Sequence, residues 1–299
     1  MSHASIAVVI PVYNRREVVV EALESVRQQT HPPQRVVVVD DGSSDGSTER
    51  VRQWAAEVDP GVPLEVIEQA NQGVSAARNR GVEATRDCGL LAFLDSDDLW
   101  PTDYLARMAA AMDDEQVVAA STDRLNTRHG ARPRLVSAAD MEPNATRRLL
   151  EVGPVGTPNT IYRTPLFEAV GGFEVDQYCG EDFQLQLRMS LRGRWRYVPG
   201  LPVECRELRS GGEQEAPLSK RYPDRRYRMA MIMDRFLREE GGASALPQRF
   251  WRRRLARAWH AAGRQLRQAD DLRAAACFDR AIELRPFHWR ARWRRWSGR

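Results

Sequence analysis

The sequence predicts an α/β protein, a parallel β-sheet wrapped by helices, followed by an α-helical C-terminal extension. Three observations carry this. Short apolar runs of strand length alternate with stretches whose apolar residues recur at helical spacing. Two of these runs, Val36–Val39 and Leu90–Leu94, contain no polar residue, the pattern of strands buried on both faces. From Leu218 onward only helical patterning remains, and it becomes rich in arginine.

Ile6–Val12 reads as the first strand, with Pro11 at its end because proline cannot donate to a central ladder. A helix follows from about Arg16 to Gln29, with Val19, Ala22, Leu23 and Val26 on one face. Arg35–Asp40 is the second strand. It runs into a turn-rich loop, Asp41–Gly46, where glycines permit positive φ and Ser47 or Thr48 offers a helix cap. Leu64–Glu68 is the third strand, and Asn71–Gly81 leads into a helix carrying Arg78 and Arg80. Leu90–Leu94 is the fourth strand, trailed by a helix from about Asp103 to Met112, and Val117–Ser121 is a further strand. Strand, crossover helix, strand is the grammar of a parallel sheet with right-handed crossovers. Residues 122–140 are polar and give no clear element, and Asn144–Glu151 suits a short helix.

The fourth strand stops in carboxylates: Asp95, Asp97 and Asp98. In an open α/β sheet, ligands sit at the carboxyl ends of the strands. Crowded carboxylates raise one another's pKa unless a cation intervenes, and Mg²⁺ or Mn²⁺ takes one or two of them and fills its shell with water and substrate phosphates. The alternative is that these aspartates only favour the N-terminus of the next helix. Arg78 near a helix start opposes the helix dipole, which makes sense facing a diphosphate; the alternative is a solvated arginine without a duty.

Composition excludes several classes. At 299 residues the chain holds one large α/β domain with an appendage, or two modest domains. No apolar run approaches the ~18 residues that cross a bilayer, and no basic-then-apolar leader opens it, so a cytoplasmic protein is expected. Cys88, Cys179, Cys205 and Cys277 form no Cys-x-x-Cys pair, and the five histidines show no zinc spacing. The first strand is not followed by Gly-x-Gly-x-x-Gly, which weighs against a dinucleotide fold. The net charge of +4 is uneven: residues 250–299 hold fourteen arginines against four acids, a local +10, leaving −6 for residues 1–249. Lys220 is the sole lysine, so arginine abundance by itself says little.

Val9-Ile10-Pro11-Val12-Tyr13-Asn14, Val39-Asp40-Asp41-Gly42-Ser43-Ser44-Asp45, Asn71-Gln72-Gly73 with Ala77-Arg78-Asn79, and Phe93-Leu94-Asp95-Ser96-Asp97-Asp98 together resemble the successive signatures of family 2 glycosyltransferases with the GT-A fold. The resemblance covers about residues 5–210. It implies a Rossmann-like mixed sheet flanked by helices, and transfer of a sugar, with inversion, from a nucleotide-diphosphate donor to an acceptor hydroxyl. UDP-sugars are the favoured donors, with Mg²⁺ or Mn²⁺ as cofactor. By that resemblance Pro11, Tyr13 and Asp41 lie along the nucleobase and Arg78 near the nucleoside or diphosphate. Asp95-Ser96-Asp97 forms the Asp-x-Asp element, with Asp97 as direct metal ligand and Asp98 as helper. Thr157 and Asn159 are candidate partners of the acceptor hydroxyl. In Gly180-Glu181-Asp182, Asp182 is the implied base and Glu181 its support; the alternative is helix-terminal charge stabilisation. The processive Gln-x-x-Arg-Trp motif is absent, since Arg194-Trp195 lacks the glutamine, so one sugar per encounter is expected.

The expected layout is a catalytic domain over 1–212, a connector over 213–249 with a Gly241-Gly242-Ala243-Ser244 linker, and a helical hairpin over 250–299. In that hairpin Trp259, Gly263, Leu266, Ala274, Phe278, Ala281 and Pro286 approximate the tetratricopeptide pattern, one residue short. A lone repeat must dock on the catalytic domain or another subunit, and its arginines either meet acidic partners or anionic lipid at the inner membrane face, or are simply solvated. Nucleic acid is not expected as a partner. The expected role is surface polysaccharide or glycoconjugate assembly. Two rivals stand beside it. A sugar-1-phosphate nucleotidyltransferase would want a glycine-rich loop where Asn14-Arg15-Arg16 stands, and a non-catalytic scaffold would recruit partners through its tail.

Overall fold

The computed structural model describes residues 5–128, 130–177, 179–207 and 222–287. Its centre is a seven-stranded sheet of β1 (Ile6–Val12), β2 (Arg35–Asp40), β3 (Leu64–Glu68), β4 (Leu90–Phe93), β5 (Val117–Ser121), β8 (Thr160–Arg163) and β9 (Arg194–Tyr197), in the order β3-β2-β1-β4-β8-β5-β9. All neighbours are parallel except β8, which runs antiparallel to both β4 and β5. A second sheet, β10-β6-β7, joins β6 (Arg124–Arg128), β7 (Arg134–Val136) and β10 (Val203–Glu207). This mixed α/β sheet flanked by helices is the predicted fold class.

Side chains alternate between the two faces of each strand, so one strand serves two cores. Ile6, Val8, Ile10, Val36, Val38, Leu90 and Ala92 face one way. There they meet Val19, Leu23 and Val26 of α1 (Val19–Arg27) and Tyr104, Leu105 and Met108 of α4 (Tyr104–Ala111). Val37 and Val39 face the other way, against Ala77 of α3 (Val74–Glu83). Gly81 sets the distance of α3 from the sheet, because a Cβ there would fall 2.3 Å from Cγ1 of Val9.

Pro11 lies inside β1 rather than at its end, and the topology explains why it is tolerated. On one edge β1 pairs with β2 as far as Val12, but on the other it pairs with β4 only from Ile6 to Val9. The missing N–H at Pro11 therefore faces the point where β1 and β4 have parted. Successive strands run outward from β1 to β3 and then restart at β4, so this split is the topological switch point, where α/β sheets open a crevice.

Residues 122–140, unreadable in sequence, hold β6, β7 and a 3₁₀ turn at Ala139–Met141. In chain order, α2 (Ser47–Glu57) joins β2 to β3, α5 (Ala145–Val152) precedes β8, and α6 (Thr164–Ala169) and α7 (Glu181–Met189) lie between β8 and β9. The described residues fall into two compact units, one within 1–145 and 154–214, the other within 146–153 and 215–299. In the second, α5 joins α8 (Arg225–Glu239), α9 (Gln248–Gln268) and α10 (Ala274–Leu284). Arg147 of α5 lies over the Phe250 ring at 4.8 Å. Residues 241–244, expected as a linker, form turns that close on α8 through Gly242, whose N–H donates to the Phe236 carbonyl. The start of the helical patterning read from Leu218, and residues 288–299 of the hairpin, lie outside the described residues. Among the described residues no helix is long and apolar enough to cross a membrane.

Candidate active site

Three loops meet at the carboxyl ends of β1, β2 and β4. Asp40, at the last position of β2, accepts hydrogen bonds from Ser43 N–H (2.7 Å) and the Thr48 hydroxyl (2.5 Å). This folds residues 41–48 back on the sheet and starts α2. The β1 loop is stitched to it. Asn14, at φ 51°, takes Ser43 Oγ on its N–H and receives Ser44 N–H on its side-chain oxygen, while Arg15 N–H donates to Ser47 Oγ at 2.8 Å. Tyr13 is thereby held 48% exposed at the rim, a free aromatic face, beside buried Pro11.

Asp41 is 3% exposed and accepts from Gln69 Nε2, Gln72 N–H and Gly73 N–H at 2.8–2.9 Å. Its carboxylate thus ties the β2 loop to the loop that begins α3. Gly42 sits at φ +80°, and a Cβ there would come 2.9 Å from the Asn71 nitrogen, so only glycine lets these two loops touch without strain.

Arg78, on α3, is 4% exposed. It donates to Asp95 Oδ1 at 2.7 Å and reaches Glu181 Oε1 at 3.5 Å, with its guanidinium 5.2 Å over the ring of Phe173. Burial acts against its charge, but the carboxylates of Asp95 and Glu181 more than offset this and raise its pKa. Its neighbour Asn79 clamps the loop ahead of α7, donating to the Phe173 carbonyl (2.7 Å) and accepting Phe173 N–H (3.0 Å). One turn of α3 therefore sets the distance between the β4 acids and the start of α7. Arg80, which sequence paired with Arg78, points elsewhere, to Glu83.

The three aspartates after β4 differ. Asp95 faces Arg78. Asp97 lies 3.6 Å from Arg15, its side chain 20% exposed, and burial with the Asp95 charge lifts its pKa. Asp98 is 5% exposed and accepts Arg206 N–H at 2.9 Å; burial, then Asp95 and Asp97, push its pKa up to about 8. Ser96 between them is 5% exposed. Arg206, on β10, also donates to the Asp97 carbonyl at 2.6 Å and pairs with Glu21 at 2.5 Å. Leu99 bridges to Glu204, so β10 pins the whole acidic turn.

Asp182 is the second residue of α7, which starts after Gly180, whose φ of +89° makes the turn, and it accepts Phe183 N–H at 2.7 Å. Its recessed carboxyl is desolvated and stands beside Glu181, which together push its pKa up to about 7. α7 is anchored one turn later by Gln186, which accepts Val155 N–H and donates to the Val155 carbonyl, both at 3.0 Å. Thr157 and Asn159, 4% and 1% exposed, are buried, and Asn159 spends its side-chain N–H on the Thr122 carbonyl.

A hard divalent ion fits the chemistry at Asp97: an oxygen ligand, partly open, beside Asp95. Among the described residues no group of three or more His, Cys, Asp or Glu is disposed to hold a metal alone. An ion there would rely on one or two carboxylates and complete its shell with water and donor phosphates. Sequence reasoning did not single out Arg15, Arg124 or Arg206. In a chain with one lysine, arginines near the site carry no distinguishing mark.

Residues 7–170 match the family model described as Glycosyl transferase family 2. The uncharacterized glycosyltransferase YwdF of Bacillus subtilis is 30% identical over 232 residues, covering 74% of this chain and 82% of its own length. A Bacillus subtilis protein named for teichuronic acid biosynthesis, TuaG, is 34% identical over 107 residues, which are 36% of this chain and 41% of its own. The first curated relatives are matched over only about a third of their length. Among solved structures, Staphylococcus aureus TarS 1–349 in complex with UDP-GlcNAc superposes with a TM-score of 0.69 at 20% identity, covering 94% of this chain and 80% of that one. The mannosyltransferase PcManGT of Pyrobaculum calidifontis, in complex with GDP-Man and Mn²⁺, gives 0.63 at 19%, covering 98% and 84%. The fold is thus GT-A. With the family model spanning more than half of the chain, and its acidic loops gathered at one sheet edge, this protein belongs to glycosyl transferase family 2.

Proposed function

We propose that the protein moves a single sugar from a nucleotide-diphosphate donor, a UDP-sugar first among them, to an acceptor hydroxyl with inversion, and that Asp182 is the base. The observation that carries this is Arg78: one buried guanidinium touches Asp95 on one side and Glu181 on the other. That cation ties the turn assigned here to the departing diphosphate to the start of α7, which carries Asp182, the acid assigned here to the incoming alcohol. In the displacement the acceptor oxygen bonds to the anomeric carbon, and the bond from that carbon to phosphate oxygen breaks. The electron pair leaves with the nucleoside diphosphate, and the hydroxyl proton passes to Asp182, with Glu181 in support. A base with pKa near the working pH suits this step. Bound Mg²⁺ or Mn²⁺ would neutralise charge growing on the diphosphate. Asp97 would hold that ion, backed by Asp95, while Asp98 holds the turn through Arg206. Tyr13 and Pro11 would receive the nucleobase, Asp41 would shape that pocket by holding its loops, and Arg15 and Arg78 would face the phosphates.

The names of TarS and PcManGT complexes include UDP-GlcNAc and GDP-Man with Mn²⁺, and TuaG is named for a wall polymer. These support a nucleotide-sugar donor, a divalent cofactor and a role in surface polysaccharide assembly. Titrating UDP, GDP and dTDP with and without Mn²⁺ while following Tm tests the donor half. A ligand that binds only the folded state raises Tm, by about 2.7 kcal/mol of stability at a hundredfold excess over Kd. One nucleotide should shift Tm only with Mn²⁺, and Asp97→Asn should abolish the metal-dependent part. No shift with any nucleotide, or an unchanged shift in the variant, would count against the reading.

A further inference from the structure

Near the proposed base stands a cation that no partner among the described residues uses. Arg124 begins β6, and its guanidinium lies across the bare α-carbon of Gly156: a Cβ there would come 2.6 Å from Arg124 Nη1 and 2.3 Å from Asn159 Oδ1. Arg124 Nε and Asn159 Oδ1 are both buried without a hydrogen-bond partner. Among the described residues Arg124 makes no side-chain hydrogen bond or ion pair, although its charge acts on Asp182 and on Cys205. The other three arginines of this edge are committed: Arg15 to Asp97, Arg78 to Asp95 and Glu181, Arg206 to Glu21.

A guanidinium with a desolvated Nε and no acceptor is destabilising unless something else supplies oxygen atoms. Its planar fork matches phosphate and carboxylate. The donor diphosphate is not the occupant in this reading, which assigns it to Arg15, Arg78 and the ion that Asp97 would hold. Arg124 instead rises from the second sheet, next to Gly156 and Asn159, within the field of Asp182. A base must lie within hydrogen-bond reach of the hydroxyl it deprotonates, so what stands beside the base stands beside the acceptor.

We infer that Arg124 is an acceptor-specificity residue, whose guanidinium receives an oxyanion carried by the acceptor close to the hydroxyl that takes the sugar. This rests on Asp182 being the base. The oxyanion is a phosphate or a carboxylate, and paired probes separate the two.

The full chain is titrated, with and without UDP and Mn²⁺, with glycerol 3-phosphate against glycerol and with glucuronic acid against glucose, following Tm. In the wild type one anionic probe should act at about tenfold lower concentration than its neutral twin, the fold-change expected of one charge-assisted contact. Arg124→Gln should erase that preference and Arg124→Lys should keep part of it. Gly156→Ala, which keeps every charge but drives a methyl into the guanidinium, should weaken it too. Arg134→Gln, exposed on β7, is the charge-matched control. A response confined to the phosphate pair identifies a phosphorylated acceptor, and one confined to the glucuronate pair a uronic acid. Equal response to both twins in the wild type, or a preference that survives in Arg124→Gln, overturns the inference. The shift with UDP and Mn²⁺ is read separately, so a failure of donor binding is distinguished from a failure of anion recognition.

Discussion

Transfer should climb about tenfold between pH 6 and pH 8 and then level off. Asp182 must be ionised to accept the acceptor proton, and desolvation with the adjacent Glu181 pushes its pKa up to about 7. A group with that pKa is about 9% ionised at pH 6, about 50% at pH 7 and about 91% at pH 8, since each pH unit is a factor of ten in the ratio. The assay is the initial rate of nucleoside diphosphate release at saturating donor and acceptor, across pH 5.5 to 8.5 at constant ionic strength. Glu181→Gln removes a neighbouring negative charge, so the rising limb should move to lower pH. Asp182→Asn should remove the limb and lower kcat by about 10²- to 10⁴-fold. The same shift has a stability consequence. The folded carboxyl keeps its proton up to about pH 7, whereas the unfolded one releases it near pH 4. The folded state thus binds more protons between those values, and stability contributed by this group falls as pH rises. Asp182→Asn should therefore raise Tm at pH 8 and leave it nearly unchanged at pH 4. A flat rate profile, or a limb that persists in Asp182→Asn, would refute the assignment of the base.

Three further substitutions test the frame around it. Arg78→Gln strands Asp95 and Glu181; breaking a buried pair costs ~3–5 kcal/mol, and the 33% exposure of Asp95 brings the expected loss to ~2–3 kcal/mol by urea titration, with the Asp182 limb moving to higher pH. An unchanged midpoint would show that Arg78 holds nothing together. Gly42→Ala, at φ +80° and against the Asn71 backbone, should cost ~1–3 kcal/mol and weaken UDP binding. Gly61→Ala, at φ +69° but with nothing within 4 Å, should cost only about 1 kcal/mol and spare binding. Equal effects on binding would refute the claim that Gly42 shapes the nucleotide loops. In the second unit, Asp234 is 7% exposed and accepts from Trp259 Nε1 and from both Nε and Nη2 of Arg280 at 2.9–3.0 Å. Asp234→Asn should speed amide exchange throughout α9 and α10, and protection left intact would mean that the hairpin stands on apolar packing alone.

What could be read from the chain, and what could not, divides along one physical line. β1, β2, β3 and β5 have the bounds that the sequence announced, and in β1, β2 and β5 the reason is that a strand buried on both faces writes its burial into its own residues. β6 and β7, with Arg124, Asn126 and Arg134, carry no such record. They exist because β10 lies alongside β6 from Val203↔Arg124 onward, a pairing nearly eighty residues distant in sequence. The site divides the same way. Asp40, Asp41, Asp95, Asp97 and the Glu181-Asp182 pair stand where strands end or a helix begins, positions that local pattern marks out. Asp98 was grouped with its neighbours by spacing, yet its carboxylate turns to Arg206 N–H, and only the distant strand could say so. The partners that give each carboxylate its own environment, Arg15, Arg124 and Arg206, arrive through tertiary contacts. In the proposed function their separation assigns two jobs to one acidic edge. Asp95 is held against Arg78 and Asp97 stands near Arg15, on the side where we assign the metal and the diphosphate. Asp182, the proposed base, is desolvated beside another acid, which raises its proton affinity. Like acids meet unlike surroundings because the second sheet and α3 deal their counter-charges unequally, and a linear string of aspartates and arginines does not contain that distribution.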